Sequence, residues 1–372
     1  MQSIHAQPFK AAVLHAYGDP LQIGDIHLAQ LKDSDVLVRI KAAGLCHTDL
    51  EVIEGQLRSP LPIVLGHEAA GIVETVGRDV QGVKPGDHVV LSWNPHCGHC
   101  FYCDRDLPIL CETYLREGTR SKHFDGEARL QKDGRDLHQL MFLGAFAEFC
   151  VVPAHCAIPV SKKIPFEAAC LIGCGVMTGV GAALNVAKIS FGDTVLVIGC
   201  GAVGLSAIQG ARLAGAGQII AADIVPEKLA LALECGATHA ADVRTTDLIK
   251  IAKDVTAGRG ADVVLESAGV EAGFRLSAEA VRPGGEIIWL GKTDVNAEVK
   301  FRWGSLMQEK RIRRSSYGGA RPARDFPLLA ESYLCGKLRL DPLITQRIAL
   351  DQINEGFSAL KAGKAIRSVV LF

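Results

Sequence analysis

The chain has 372 residues, 48% apolar and 22% charged, with 40 basic residues against 41 acidic. That length suits about two domains, each with its own core, and the composition is that of a globular protein. The balanced charge removes the usual grounds for expecting a nucleic-acid partner or an anionic membrane surface. The one basic cluster, Lys310, Arg311, Arg313 and Arg314, reads as a solvated strand edge rather than a phosphate patch.

The segment Met1–Pro8 lacks a basic stretch followed by an apolar one, so no secretory leader is expected. Twelve cysteines in such a chain read as metal-binding or catalytic, and a cytoplasmic location is expected. Short alternating runs follow: Asp35–Ile40, Gly71–Gly77 and Asp87–Leu91. They predict an antiparallel β domain. Cys97, Cys100, Cys103 and Cys111 then fall in the spacing C-x2-C-x2-C-x7-C. Four thiolates within so short a span can converge on one tetrahedral, closed site of the structural zinc type. An iron–sulfur run and a disulfide pair are the alternatives; the bacterial iron–sulfur form has a shorter last gap and a following Pro, where this chain has Glu112. Residues 112–147, with Asp125-Gly126 and Asp133-Gly134, read as an irregular lobe or hairpin.

From about residue 178 the rhythm changes to apolar strands alternating with helical stretches: Thr194–Ile198, Val203–Ala214, Gln218–Ala222 and Pro226–Cys235. Val263–Leu265 and Glu286–Leu290 come later. This alternation predicts an α/β fold with a doubly wound parallel sheet. The apolar run Thr194–Ala214 is interrupted by Gly199, Gly201, Gly204 and Gly210, as a strand–turn–helix requires, and no membrane span is expected. After about 315 a mixed pattern completes the first domain. The expected division is a mostly β domain over 1–177 and 316–372, and a dinucleotide-binding domain over 178–315.

Gly199-Cys200-Gly201-Ala202-Val203-Gly204 fits G-x-G-x-x-G between a strand and a helix. The first glycine permits the sharp turn, the second lets backbone approach a pyrophosphate, and the third allows close helix–strand packing. The pyrophosphate would meet free N–H groups at the helix N-terminus. Asp223 ends the next strand, placed to bind ribose hydroxyls, and a 2′-phosphate there would be repelled by roughly 4 kcal/mol per charge pair. Ile224 offers no counter-charge. NAD is therefore expected rather than NADP, with Lys228 a second contact or a solvated helix lysine.

Gly66-His67-Glu68-Ala69-Ala70-Gly71, continuing to Gly77 and Val80, resembles the signature of the zinc-containing alcohol dehydrogenases of the medium-chain dehydrogenase/reductase family. Gly44–Asp49, the four-cysteine segment, Leu171–Gly175 and Lys364–Arg367 resemble the same family, so the likeness spans essentially the whole chain. It implies a GroES-like β domain beside a Rossmann domain, and two zinc ions per chain, one catalytic and one structural. By this resemblance Cys46, His67 and Cys174 hold the catalytic zinc, a two-thiolate, one-imidazole set that leaves a fourth position open. Asp49 orients His67, Glu68 sits beside the metal, and Thr48 carries the alcohol proton outward. His47, Thr178 and Arg367 join Gly199, Gly201, Val203 and Gly204 in the cofactor set.

The implied reaction is reversible hydride transfer between a primary alcohol and NAD. A bound zinc ion would acidify the hydroxyl, by roughly 9 pKa units on the precedent of water. Many members have a His at the end of the proton relay where this chain has Glu51, so Glu51 is the expected substitute base. Glutathione-dependent formaldehyde dehydrogenases of the family carry an acidic residue and an arginine in the pocket; here Leu57 and Leu115 stand there, with Arg116 adjacent. An apolar or aromatic alcohol, held near Trp93, Leu57 and Leu140 or Met141, is therefore expected over S-(hydroxymethyl)glutathione. A zinc hydrolase would not need the glycine turn with Asp223, and a non-catalytic nucleotide-binding member would lack Cys46, His67 and Cys174. A zinc-finger role lacks a basic surface. The resemblance also implies a homodimer or homotetramer joined through the edge strand, roughly Arg311–Tyr317.

Overall fold

A computed structural model describes residues 7–118 and 121–372. The first six residues of the Met1–Pro8 segment, and residues 119–120 of the 112–147 lobe, lie outside the described residues. The chain divides into two compact units. One comprises Met1–Cys174, Arg321–Gly336 and Leu343–Phe372; the other comprises Gly175–Ala320 and Lys337–Pro342.

The first unit is built on the strand Asp35–Gly44. Its side chains are nearly all buried, because other strands cover it on both sides. It pairs antiparallel with Ala69–Val76, Phe149–Pro153 and Arg367–Leu371, in a sheet that also holds Ala157–Pro159, His88–Leu91 and Ile344–Ile348. A small closed barrel holds Phe9–Leu14, Gln22–Leu28, Leu130–Lys132, Arg135–Gln139 and Ile63–Val64. The expected antiparallel domain is thus mostly so. The exceptions are Ile344–Ile348 beside Arg367–Leu371, and Ile63–Val64 beside Arg135–Gln139, which run parallel. The lobe contains a short helix, Glu112–Gly118, and a hairpin whose turn is Asp133-Gly134. Both turn residues have positive φ, as a two-residue hairpin loop requires.

Behind that hairpin lies a buried ion pair that no sequence pattern announces. Arg129 bonds Asp35 through Nε (2.5 Å) and Asp125 through Nη2 (2.7 Å). His123 Nδ1 stands 3.5 Å from Asp35. Burial works against the charge on Asp35, but His123 and Arg129 prevail and hold its carboxyl down at about 2. One buried carboxylate in the first strand of the sheet thereby anchors the lobe 121–139.

In the second unit six parallel strands lie in the order His239–Asp242, Gln218–Asp223, Thr194–Ile198, Ala261–Glu266, Val281–Trp289, Arg311–Arg314. This is the doubly wound order 3-2-1-4-5-6, whose connections reverse between the first and fourth strands. Leu196, Ile220, Val264 and Ile287 form its core. The edge strand is shorter than expected: it stops at Arg314, and Tyr317–Gly319 is a 3₁₀ turn. All four of its residues are exposed, and Arg313 pairs with Glu286.

Among the described residues one helix, Phe166–Val186, is long and apolar enough to cross a membrane. Its most apolar window is 72% buried within the protein, which is the character of a core helix.

Candidate active site

Cys46, His67 and Cys174 are brought together with their ligand atoms all within 4.8 Å of one another. Each arrives on a different element. Cys46 is the N-cap of the helix His47–Ile53. His67 follows Gly66, whose φ of 95° carries the chain into the strand Ala69–Val76; a Cβ there would lie 2.7 Å from the Phe146 nitrogen. Cys174 sits in a π-helical turn, Ile172–Val176, of the long helix. Such turns re-aim side chains and recur at functional sites.

Asp49, fully buried, ties the first two together. Its Oδ1 accepts from the Gly66 N–H (2.9 Å) and stands 3.2 Å from His67 Nδ1, while its Oδ2 accepts from the Cys46 N–H (3.3 Å). With Nδ1 engaged, His67 presents Nε2 to Cys174 Sγ at 3.4 Å. A tetrahedral zinc with bonds of ~2.3 Å to sulfur and ~2.0–2.1 Å to nitrogen would set those two atoms about 3.5 Å apart. The donor set and its spacing fit zinc.

The electrostatics agree. Hydrogen bonding with Cys174 brings the Cys46 thiol well below its usual range against the cost of burial, and Cys174 rises in response. Burial opposes charge on His67, but Asp49 and the Cys46 thiolate push it up to about 10. Charge on Cys46 and charge on His67 thus favour each other, and a divalent cation at the same place would instead favour two thiolates and a neutral imidazole.

Beside this cluster Glu68 is fully buried, its Oε1 3.2 Å from Arg367 Nε. Arg367 also donates from Nη1 to the Leu45 carbonyl (2.9 Å). Gly44 makes room: a Cβ there would strike the Glu68 carboxylate at 2.4 Å. Thr48 is buried and Glu51 half-buried one turn further along the same helix face, with His47 exposed between Cys46 and Thr48. Trp93 and Met141 pack against the core that contains Leu140, and Leu57 and Leu115 are exposed. An aromatic row from Trp93 through Tyr114 and Phe142 to Phe124, with centroids 4.9–6.3 Å apart, has no sequence signature. Its members are dispersed over 50 positions with no shared period.

The four cysteines form the second cluster, again with all sulfurs within 4.8 Å. No disulfide joins them. Cys97 and Cys103 Sγ are 4.0 Å apart, against about 3.8 Å for tetrahedral zinc thiolates. Such mutual closeness suits a single ion and not a multi-iron cluster. Burial raises the Cys97 thiol, yet the His99 N–H and its neighbours bring it to about 6, while burial and neighbouring thiols push Cys103 to about 12. Cys100 thus opposes the ionisation of Cys103, an opposition that a bound cation would relieve.

The glycine turn lies in the second unit, and each glycine meets a distinct constraint. Gly199 has φ 89°. A Cβ on Gly201, the N-cap of the helix Ala202–Leu213, would meet nothing within 4 Å, which leaves a cradle for a ligand. A Cβ on Gly204 would lie 1.8 Å from the Gly199 carbonyl oxygen. Asp223 braces the turn by accepting from the Cys200 N–H (2.6 Å) and from those of Ile224 and Val225. Val203 and Lys228 are half-buried on the helices that follow, and Thr178 is half-buried on Met177–Gly181.

Comparison with known proteins agrees with this geometry. Residues 32–162 match the alcohol dehydrogenase GroES-like domain and residues 202–332 the zinc-binding dehydrogenase domain. An NDMA-dependent alcohol dehydrogenase of Amycolatopsis methanolica is 38% identical over 369 residues, covering 97% of this chain and 98% of that protein. An S-(hydroxymethyl)glutathione dehydrogenase of Escherichia coli is 36% identical, covering 98% and 99%. The crystal structure of benzyl alcohol dehydrogenase from Acinetobacter calcoaceticus superposes with a TM-score of 0.93 at 31% identity, covering 98% and 99%. Fold and donor sets together define a zinc- and nicotinamide-dependent dehydrogenase. The chain belongs to the zinc-containing alcohol dehydrogenases of the medium-chain dehydrogenase/reductase family.

Proposed function

We propose that the protein oxidises primary, apolar or aromatic alcohols to aldehydes, reversibly and with NAD, at a zinc held by Cys46, His67 and Cys174. The convergence of those three side chains around Asp49 carries the reading. A zinc ion held there would supply Lewis-acid polarisation of the alcohol oxygen, and a bound nicotinamide would take up the hydride. Asp49 holds the His67 tautomer, Thr48 takes the alcohol proton, and Glu51, on the same helix face, passes it to solvent. If Glu51→Gln leaves the pH–rate profile as it was, Glu51 is only a surface charge.

NAD rather than NADP follows from Asp223, whose carboxylate stands beside Ile224 with no basic residue next to it. The second zinc belongs to Cys97, Cys100, Cys103 and Cys111, where every position is filled by protein sulfur and none is left for chemistry. His47, Thr178, Gly199, Gly201, Val203, Gly204, Lys228 and Arg367 complete the cofactor set. The exposed edge strand Arg311–Arg314 suits pairing of two copies into a dimer, itself able to pair into a tetramer. The working location is the cytoplasm.

The E. coli relative keeps a second substrate, S-(hydroxymethyl)glutathione, under consideration. Against it, Leu57 and Leu115 present apolar surface, and Arg116 is paired with Glu117 at 2.6 Å. The deciding experiment follows reduced-nicotinamide absorbance across a panel of alcohols, with NAD, with NADP and with NDMA present, and counts zinc on the same sample. NAD-linked oxidation of apolar alcohols with two zinc per chain is expected. Activity confined to glutathione plus formaldehyde would reverse the substrate assignment.

A further inference from the structure

A buried carboxylate in the second unit takes no part in the chemistry above. Glu266 ends the strand Ala261–Glu266 and is fully buried. Its Oε1 accepts from the N–H groups of Ala268 (3.0 Å) and Gly269 (2.9 Å). Its Oε2 has no hydrogen-bond partner among the described residues, and neither does the buried Oγ of Ser315. The chain leaves room for this carboxylate. A Cβ on Gly273 would lie 2.6 Å from Oε1, and one on Gly291 would lie 2.6 Å from Oε2. Gly291 in turn packs directly on Gly269, so the carboxyl sits beneath two adjoining strand ends.

Arg314 ends the edge strand and donates through Nη1 to the carbonyls of Trp289 (2.8 Å) and Ser315. Its charge opposes the effect of burial on the Glu266 carboxyl. The turn 267–270 meets it with backbone N–H groups, the Ser267 hydroxyl donating instead to the Ile198 and Gly199 carbonyls, and Lys292 is exposed. Burial raises Glu266 to about 7, opposed by those N–H groups and by Arg314.

The sheet order gives the place of these two residues relative to a bound dinucleotide. A dinucleotide in a doubly wound sheet lies across the strands' carboxyl ends, over the point where the connections reverse. That point is between Thr194–Ile198 and Ala261–Glu266. Asp223 ends the neighbour of Thr194–Ile198 on one side and draws the adenosine half there. The nicotinamide half must then lie over the ends of the other three strands, where Glu266, Trp289 and Arg314 stand.

We propose that Glu266 and Arg314 are positioning residues that set the relative affinity of the site for oxidised and reduced dinucleotide. The oxidised ring carries a positive charge and the reduced ring none, so the buried anion Glu266 favours the first and the cation Arg314 the second. Glu266 also acts through the turn 267–269, which it holds in place by two hydrogen bonds. The proposal rests on the nicotinamide reading given above.

The test is a titration of the zinc-loaded enzyme with NAD and with NADH at pH 8, followed by tryptophan quenching, for the wild type, Glu266→Gln and Arg314→Gln. Glu266→Gln is expected to lower the NAD-to-NADH affinity ratio by about fivefold to tenfold, and Arg314→Gln to raise it. A structural role alone would weaken both ligands by one factor and leave the ratio in place, and an unmoved ratio in both variants overturns the proposal. Should Glu266→Gln not fold, the Arg314→Gln ratio decides. A wild type that binds neither form sinks the nicotinamide reading itself; one that binds both, with ratios unmoved in the variants, sinks only this inference.

Discussion

The two sulfur-rich clusters differ in how the chain builds them. Cys97 to Cys111 occupy fifteen consecutive positions in a loop, and three of the four are only partly buried. Cys46 and Cys174 stand 128 positions apart, joined by His67 and braced by a carboxylate that no solvent reaches. A local cluster can form wherever its loop folds back, whereas the distributed one exists only when sheet, helix and π-turn are all in place. The local site can therefore serve the fold, while the distributed one depends on it. Three protein donors leave a position open for a reactant; four sulfurs leave none.

The largest expected effect separates the two. Cys174→Ala should lower kcat/KM for alcohol oxidation by roughly 10⁴-fold with little change in melting temperature, measured by steady-state kinetics and calorimetry on one preparation. Cys103→Ser should do the reverse. A stability loss of about 2–4 kcal/mol, read from urea unfolding, should come first, with activity per folded molecule largely kept. Equal loss of activity in the two variants at full folding would erase the distinction.

A third effect shows that acid lability need not mean metal loss. The Asp35 carboxyl is held down at about 2 in the folded chain, below its unfolded value. Its contribution is therefore present above pH ~4 and lost as pH falls toward 2, about 2 kcal/mol in all. Asp35→Asn should flatten that part of the stability curve, measured by urea unfolding between pH 5 and 2. The smallest effect probes the brace: Asp49→Asn should weaken zinc binding at the three-donor site by about 10–100-fold, by competition with a chelator, and leave the four-sulfur site untouched.

Much of the second unit is legible in the sequence because its signals are local. Gly199 turns the chain at φ 89°, Gly204 clears the Gly199 carbonyl, Gly201 between them leaves open space for a ligand, and Asp223 follows at the end of the next strand. The four cysteines are legible for the same reason. Cys46, His67 and Cys174 are not, since spacing carries no information across 128 positions; only the likeness to a family grouped them. The π-turn that aims Cys174 has flanking Gly173 and Gly175 as its sole local sign. Arg129 with Asp35, and Glu266 beneath Gly291, gave no sign at all. Isolated charged residues read as surface until a structure shows them buried and paired.

The proposed function assigns chemistry to the distributed cluster and stability to the local one. Its most direct test is the zinc content of folded Cys174→Ala, determined by elemental analysis beside its turnover. One zinc per chain, retained by a folded and inactive protein, is the predicted result. Two zinc per chain with alcohol oxidation intact would contradict it.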